Sequence, residues 1–348
     1  MRILLTADAE LPVPPENYGG IERIVDLLVR EFESEGHAVA LVAHPDSTSP
    51  ASKCYGWPGR TSTRRWDSAI NSLALRRAVG DFNPDVIHSF SRLLWLAPLA
   101  ADRRPKVMSY QREPAGRTVT WSRRLHRGRL RFTGCSEYIC GNGRMRGGGD
   151  WTVIPNCVDM KAYDFVATVP DDAPLVFLSR IEPIKGAHVA IEVAKRSGRR
   201  LLIAGNHADD GPLGDYWREH ILPEVGRNGI EYVGVVNDRQ KNELLGRAAA
   251  LIVPIQWNEP FGIVFVEALA CGTPVITCPR GATPEIIENG VHGFLVNDVD
   301  QGVMGVQRIP TLERRLCRER VESHFSSAYA ASTYLRLYQR LLNASCAA

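Results

Sequence analysis

The chain has 348 residues, 44% of them hydrophobic and 23% charged, which suits two domains of about 150–180 residues and is ordinary for a globular enzyme. Its net charge of +3 does not by itself imply a polyanionic partner. No run approaches the roughly 20 apolar residues of a membrane-spanning helix, and Met-Arg-Ile-Leu-Leu reaches Thr6-Ala7-Asp8 too soon for the centre of a secretion signal. A cytoplasmic chain is expected.

Short β-branched runs alternate with helical patterns. Ile3–Ala7, Ala38–Ala43, Val86–Phe90, Lys106–Tyr110, Phe132–Cys135 and Thr152–Ile154 predict a first set of strands. Leu175–Ser179, Leu201–Ala204, Glu231–Val235, Ala250–Ile255, Val275–Cys278 and Phe294–Val296 predict a second. Several are apolar at every position, as in parallel strands covered on both faces. Helical patterns such as Ile21–Glu35 and Asp238–Ala248 lie between them, so the fold class is α/β with two Rossmann-like domains. Thr-Val-Pro-Asp-Asp-Ala-Pro within Asp164–Pro174 breaks the periodicity, giving domains at 1–165 and 166–348. The last helix, Tyr329–Leu342, closes the chain, with the option of packing back on the first domain. Two such units with a hinge make a cleft, and open α/β sheets bind ligands beyond the carboxyl ends of their strands.

The eight cysteines form no C-x2-C pair and have no matching histidine spacing, so no metal site is expected; Cys135, Cys271 and Cys278 read as small core residues. At the first strand-to-helix turn, Tyr18-Gly-Gly-Ile-Glu-Arg offers Gly19 and Gly20, which permit close backbone approach to a phosphate or form only a tight turn. The pattern is not Gly-x-Gly-x-x-Gly, and no ribose-binding acid ends the second strand, which disfavours a dinucleotide. His88 ends a strand facing the cleft, and Gln111 and Arg112 follow the next one, making all three acceptor-side candidates; for His88 a structural role is an equal alternative.

Residues 103–146 carry twelve basic side chains against Glu113 and Glu137. This surplus suits peripheral contact with the anionic inner face of a membrane, an anionic acceptor, or simple solvation of a long loop. No nucleic-acid module is visible.

Arg180 and Lys185, in Phe177-Leu-Ser-Arg-Ile-Glu-Pro-Ile-Lys-Gly, leave the first strand of the second domain. Two cations there match a diphosphate, the arginine as a planar fork and the lysine as a point charge; the bland alternative is two surface cations. Pro254-Ile-Gln-Trp-Asn-Glu-Pro-Phe-Gly-Ile-Val-Phe-Val-Glu-Ala-Leu-Ala-Cys-Gly-Thr-Pro-Val-Ile runs from a strand into a helix starting near Phe261-Gly262. The first N–H groups of that helix lack intrahelical partners and suit an anion. Glu259 precedes them and Glu267 follows, each carboxylate able to accept from a vicinal diol. Glu267 has apolar neighbours nearly all round, so its charge requires a partner.

Glu259 and Glu267 in Glu-Pro-Phe-Gly-Ile-Val-Phe-Val-Glu-Ala-Leu-Ala-Cys-Gly-Thr-Pro-Val-Ile resemble the signature of the family 4 retaining glycosyltransferases of GT-B fold. The resemblance implies that Glu259 contacts the donor sugar's hydroxyls and Glu267 holds the nucleotide ribose. Backbone amides of Phe261, Gly262, Ile263 and Val264 would meet the sugar and diphosphate. It further implies that Arg180 and Lys185 bind the departing diphosphate, which Gly19 and Gly20 approach across the cleft. Val153-Ile-Pro-Asn-Cys-Val-Asp is similar to the segment ending the family's first domain, with Cys157 where glycine is usual; many members also carry a histidine near Gln111. The expected function is retaining transfer from a nucleotide sugar, by default a UDP-sugar, to an unidentified hydroxyl acceptor in glycan, glycolipid or small-metabolite biosynthesis, without metal or cofactor. The alternatives are a nucleotide-sugar epimerase or phosphorylase of the same fold, and a non-catalytic nucleotide-sugar-binding protein.

Overall fold

A computed structural model describes the chain except Asn17, Tyr18, Ser62, Ala347 and Ala348; Tyr18 of the double-glycine motif thus lies outside the described residues. The chain divides into two compact units, Met1–Cys157 with Ser327–Ala348, and Val158–Ser326. The chain therefore crosses after Cys157, earlier than the 165/166 boundary expected from sequence. Residues after the crossing are tied to the second unit by specific bonds. Val158 N–H donates to Phe325 O, and the Arg318 guanidinium donates to the carbonyls of Met160 and Tyr163.

In the first unit, β1 (Arg2–Thr6), β2 (Ala38–Ala43), β3 (Lys53–Gly56), β4 (Val86–Ser89), β5 (Lys106–Tyr110), β6 (Leu130–Gly134) and β7 (Trp151–Val153) form one sheet. Its order is β3-β2-β1-β4-β5-β6-β7, and every pairing is parallel. The edge strand β3 was not anticipated: Lys-Cys-Tyr-Gly is short and mostly exposed, so it lacks the apolar run that marks its neighbours.

Helices α1 (Gly20–Ser34), α2 (Arg65–Phe82), α3 (Gly116–Leu125) and α4 (Glu137–Gly147) cover this sheet. Leu75, Val79 and Phe82 of α2, Leu96 of the 3₁₀ turn Leu93–Leu99, Val119 of α3 and Cys140 of α4 share one core with the sheet. The final helix, Ser327–Cys346, packs beside α1: Ser327 Oγ donates to Glu31 Oε1 at 2.6 Å, and Tyr338 meets Phe32 edge-on at 5.9 Å. The basic stretch 103–146 is thus no long loop. It threads β5, α3, β6 and α4, and Lys106 is buried, its Nζ donating to the carbonyls of Asp102 and Arg104. Burial pulls the Lys106 ammonium down to about 8.

Two buried histidines make this unit acid-sensitive. Burial pushes His88 down to about 3, and burial with the Lys106 charge pushes His126 down to about 4. A histidine depressed in the fold leaves stability intact above its unfolded value near 6.5 and removes it as pH falls toward the folded value. A loss of a few kcal/mol is therefore expected between about pH 6.5 and 4. Urea midpoints at pH 7.5, 5.5 and 4.5 measure it, and His126→Gln should flatten the slope; a midpoint independent of pH would contradict both assignments.

In the second unit, β8 (Leu175–Leu178), β9 (Leu201–Ala204), β10 (Ile230–Gly234), β11 (Ala250–Val253), β12 (Val275–Thr277) and β13 (Gly293–Leu295) are ordered β10-β9-β8-β11-β12-β13, again all parallel. Both sheets reverse direction of winding once, between β1 and β4 and between β8 and β11. At such a reversal the connections leave on opposite faces and open a crevice beyond the strand ends. No helix among the described residues is long and apolar enough to cross a membrane.

Candidate active site

The loops that follow β8 and β11 hold three of the residues singled out in the second unit. Arg180 and Lys185 leave β8, and Glu259 leaves β11. The two loops are stitched together by Gln256 N–H donating to Ile184 O at 2.7 Å. Gly186, at φ +78°, begins α5 (Ala187–Ser197), and a Cβ there would stand 2.1 Å from Pro254 O. Only a glycine allows both that backbone conformation and that approach.

Gly186→Ala should therefore lower the melting temperature by about 5 °C or more through left-handed strain and collision. Scanning calorimetry checks this; an unchanged melting temperature would mean that the loops do not meet so closely.

Lys185 Nζ donates to Glu259 Oε2 at 2.6 Å, and Trp257 Nε1 donates to the same oxygen at 2.9 Å. The ammonium also lies 4.9 Å from the Trp257 ring centroid, which favours a cation over that face. Both partners are largely covered, so the pair is ordered rather than a solvated contact. Arg180 is more open, and its guanidinium pairs with Glu182 Oε1 at 2.6 Å.

The helix Ile263–Ala270 starts at Gly262, whose φ of +91° turns the chain out of the Glu259 loop. Helix formation thus begins one to two residues later than the sequence predicts. Phe261 is buried and packs edge-on against Phe325 at 5.9 Å, so its side chain anchors the turn while its backbone stays in the loop. Ile263 and Val264 supply the first turn, where N–H groups lack helical acceptors. A second connection holds the loop in place: Ala282 N–H donates to Glu259 O at 2.8 Å.

Glu267 is buried, as its apolar surroundings imply, and it has partners. Tyr163 OH donates to Oε1 at 2.7 Å, and Lys241 Nζ donates to the same atom at 2.5 Å. Burial, with Glu267 adding to it, pushes the Tyr163 hydroxyl up and the Cys271 thiol up to about 12, so both stay protonated. Tyr163, Lys241, Trp257 and Glu182 were missed in the sequence. Lys241 had one usable signal, since it lies on the helix after β10, but nothing local joins it to Glu267, 26 positions away.

In the first unit, Gly19 precedes α1 and Gly20 opens it. His88 is not an acceptor contact: it is fully buried, bonded through Nδ1 to Tyr338 OH at 2.5 Å and through Nε2 to Ser109 Oγ at 2.7 Å, beneath the final helix. Gln111 is half-buried with its amide oxygen unpartnered, and Arg112 is exposed. The end of β1 holds a group the sequence reading passed over. Asp8 Oδ2 lies 3.4 Å from Arg92 Nε, and burial raises the carboxyl while Arg92 opposes the shift; burial likewise raises Glu22 in the first turn of α1.

Two family models match the chain. "Glycosyl transferases group 1" covers residues 161–309, and "Glycosyltransferase Family 4" covers residues 18–162. Together they run from 18 to 309 without a break. Over these residues the chain is similar to the family 4 and group 1 glycosyltransferases. Glycogen synthase of Mycobacterium tuberculosis is 26% identical over 97% of this chain and 94% of its own length.

Among solved structures, a glycosyltransferase from Rickettsia africae superposes with a TM-score of 0.82 at 18% identity, over 98% of both chains. The Anabaena protein HepE, solved with UDP and glucose, superposes with a TM-score of 0.72 at 18% identity, over 97% of this chain and 99% of that one. The glycosyltransferase fold is thus of GT-B type, with two Rossmann-like halves. The paired Lys185 and Glu259 lie within the stretch that the group 1 model matches.

Proposed function

We propose that this glycosyltransferase transfers a sugar from a UDP-sugar to a hydroxyl acceptor with retention of anomeric configuration and without a metal ion. The observation that carries the reading is the Lys185–Glu259 pair beside the start of the helix Ile263–Ala270, at the β8/β11 switch point. The binding of UDP by the Anabaena protein supports the choice of nucleotide.

In this reading Glu267 accepts from the ribose hydroxyls, and Glu259 accepts from the donor sugar while holding Lys185 in place. The bond from the anomeric carbon to the diphosphate oxygen breaks first. Negative charge grows on the diphosphate, which Lys185, Arg180 and the free N–H groups near Ile263 and Val264 stabilise more as the bond lengthens. The acceptor hydroxyl attacks from the face the diphosphate leaves, and its proton passes to a departing phosphate oxygen. Fixed cations and backbone dipoles supply the charge neutralisation that a divalent ion would otherwise provide.

Proton NMR of the first-formed product, made from UDP-glucose or UDP-galactose with a panel of hydroxyl acceptors, should show the donor's anomeric configuration, with a rate unaltered by EDTA. An inverted first product would eliminate the proposed mechanism. Donor binding without hydrolysis or transfer would favour a nucleotide-sugar-binding protein instead.

A further inference from the structure

We infer that one helical layer of the first unit is a docking surface for an anionic lipid membrane. The layer consists of α2, the 3₁₀ turn Leu93–Leu99, α3 and α4, whose inner sides share a single core. The turn packs against both α2 and α3, and α3 packs against α4, so the outer sides form one surface. Among the described residues, six large hydrophobic side chains of this unit are exposed, and five lie on this layer: Trp66, Leu73, Leu94, Trp121 and Met145. Trp66 is 75% exposed and Met145 76%.

Their spacing places them outward. Trp66 and Leu73 are two turns apart on α2, opposite the buried Leu75, Val79 and Phe82. Trp121 lies between Arg117 and Arg124 on α3, and these three share a shallow depression with Arg146 of α4.

Charge identifies the occupant. The three α-helices of the layer contain eight arginines and only three acids, and α3 contains none. Of the acids, Glu137 is paired with Arg144 and Asp81 with Lys53. Arginine forks match lipid phosphates, and tryptophan favours the headgroup level, where its ring is half in hydrocarbon. Leucine and methionine beside them enter the acyl boundary, so the surface combines the two signals that stable peripheral attachment takes. A nucleic acid would leave Leu73, Leu94 and Met145 facing a phosphate backbone. A second copy meeting the same face would set arginines against arginines.

The inference extends the basic-segment expectation to α2 and the 3₁₀ turn, and it is independent of the sugar-transfer mechanism because it reads binding alone. Co-sedimentation of the full chain with vesicles of phosphatidylcholine, with and without about one third phosphatidylglycerol, tests it. Partitioning to the anionic vesicles should exceed that to the neutral ones at least tenfold. Trp66→Ser with Trp121→Ser should cut it at least tenfold, as should Arg117→Gln with Arg123→Gln and Arg124→Gln. Met304→Ser, which removes an exposed methionine of the second unit, should bind as the parent does.

Equal partitioning to both vesicles, or an unchanged double-tryptophan variant, would overturn the inference. So would a stable dimer that the double variant dissociates, or a single-stranded oligonucleotide bound as tightly as the anionic vesicles at the same salt.

Discussion

Lys185→Ala is expected to lower kcat for sugar transfer by about 10²- to 10³-fold while changing donor affinity by less than about tenfold. The asymmetry follows from when the charge appears. On the proposed mechanism the ground-state diphosphate would be shared among Arg180, Lys185 and the backbone N–H groups near Ile263; as the glycosidic bond stretches, charge would concentrate on the oxygen nearest the sugar. Lys185 is held for that moment by its 2.6 Å bond to Glu259 and by the Trp257 ring. The variant should remain folded, because Glu259 keeps the Trp257 N–H and the backbone link to Ala282. Steady-state kinetics with saturating donor, alongside a melting curve, separates lost chemistry from lost structure. A large rise in donor KM with kcat intact would assign Lys185 to binding only.

The second large effect falls the other way. Glu267→Ala should weaken donor binding by about 10- to 150-fold for each ribose hydrogen bond lost, at about 1.5–3 kcal/mol for a bond to a charged group. It also strands Tyr163 OH, directed at Glu267 Oε1 in a largely covered site, and leaves Lys241 Nζ with Asp238 Oδ1, at 3.3 Å, as its carboxylate partner. A stability loss of about 1–3 kcal/mol should accompany the affinity loss. Glu267→Gln keeps an acceptor for Tyr163 and removes the charge, so it should recover stability more than affinity. Calorimetric titration of donor into each variant, with urea melts, resolves the two contributions. If Glu267→Gln bound donor as the parent does, the carboxylate would have only a structural role.

Most strands were legible because buried parallel strands write themselves as continuous apolar runs: Ala38–Ala43, Lys106–Tyr110 and Leu201–Ala204 fall where the pattern puts them. β3 was invisible because an exposed edge strand carries no such run. In the site, Glu267 announced itself as an acid in an apolar helix, but its partners Tyr163 and Lys241 could not be read. They arrive from other elements, 104 and 26 positions away, and nothing local marks either as facing it. His88 shows the converse hazard. A histidine at a strand end reads equally as ligand or core residue, and only the final helix, 250 positions on, decides it by placing Tyr338 over the ring. The basic stretch 103–146 read as a single surplus because charge counts ignore topology: β5 carries Lys106 into the interior, while the arginines of α3 and α4 stay outside. The tryptophans of α2 and α3 went unremarked because helical periodicity distinguishes two faces without saying which one is covered.

The grip on a diphosphate beside the start of the helix Ile263–Ala270 is tested most directly by titrating UDP, GDP and ADP, each against its parent nucleoside, into the native protein and Lys185→Ala. One diphosphate, expected to be UDP, should bind at least about 100-fold more tightly than its nucleoside, a difference of about 2.7 kcal/mol, and the gap should narrow in the variant. Nucleoside and diphosphate binding alike, or a gap untouched by loss of the ammonium, would contradict the account.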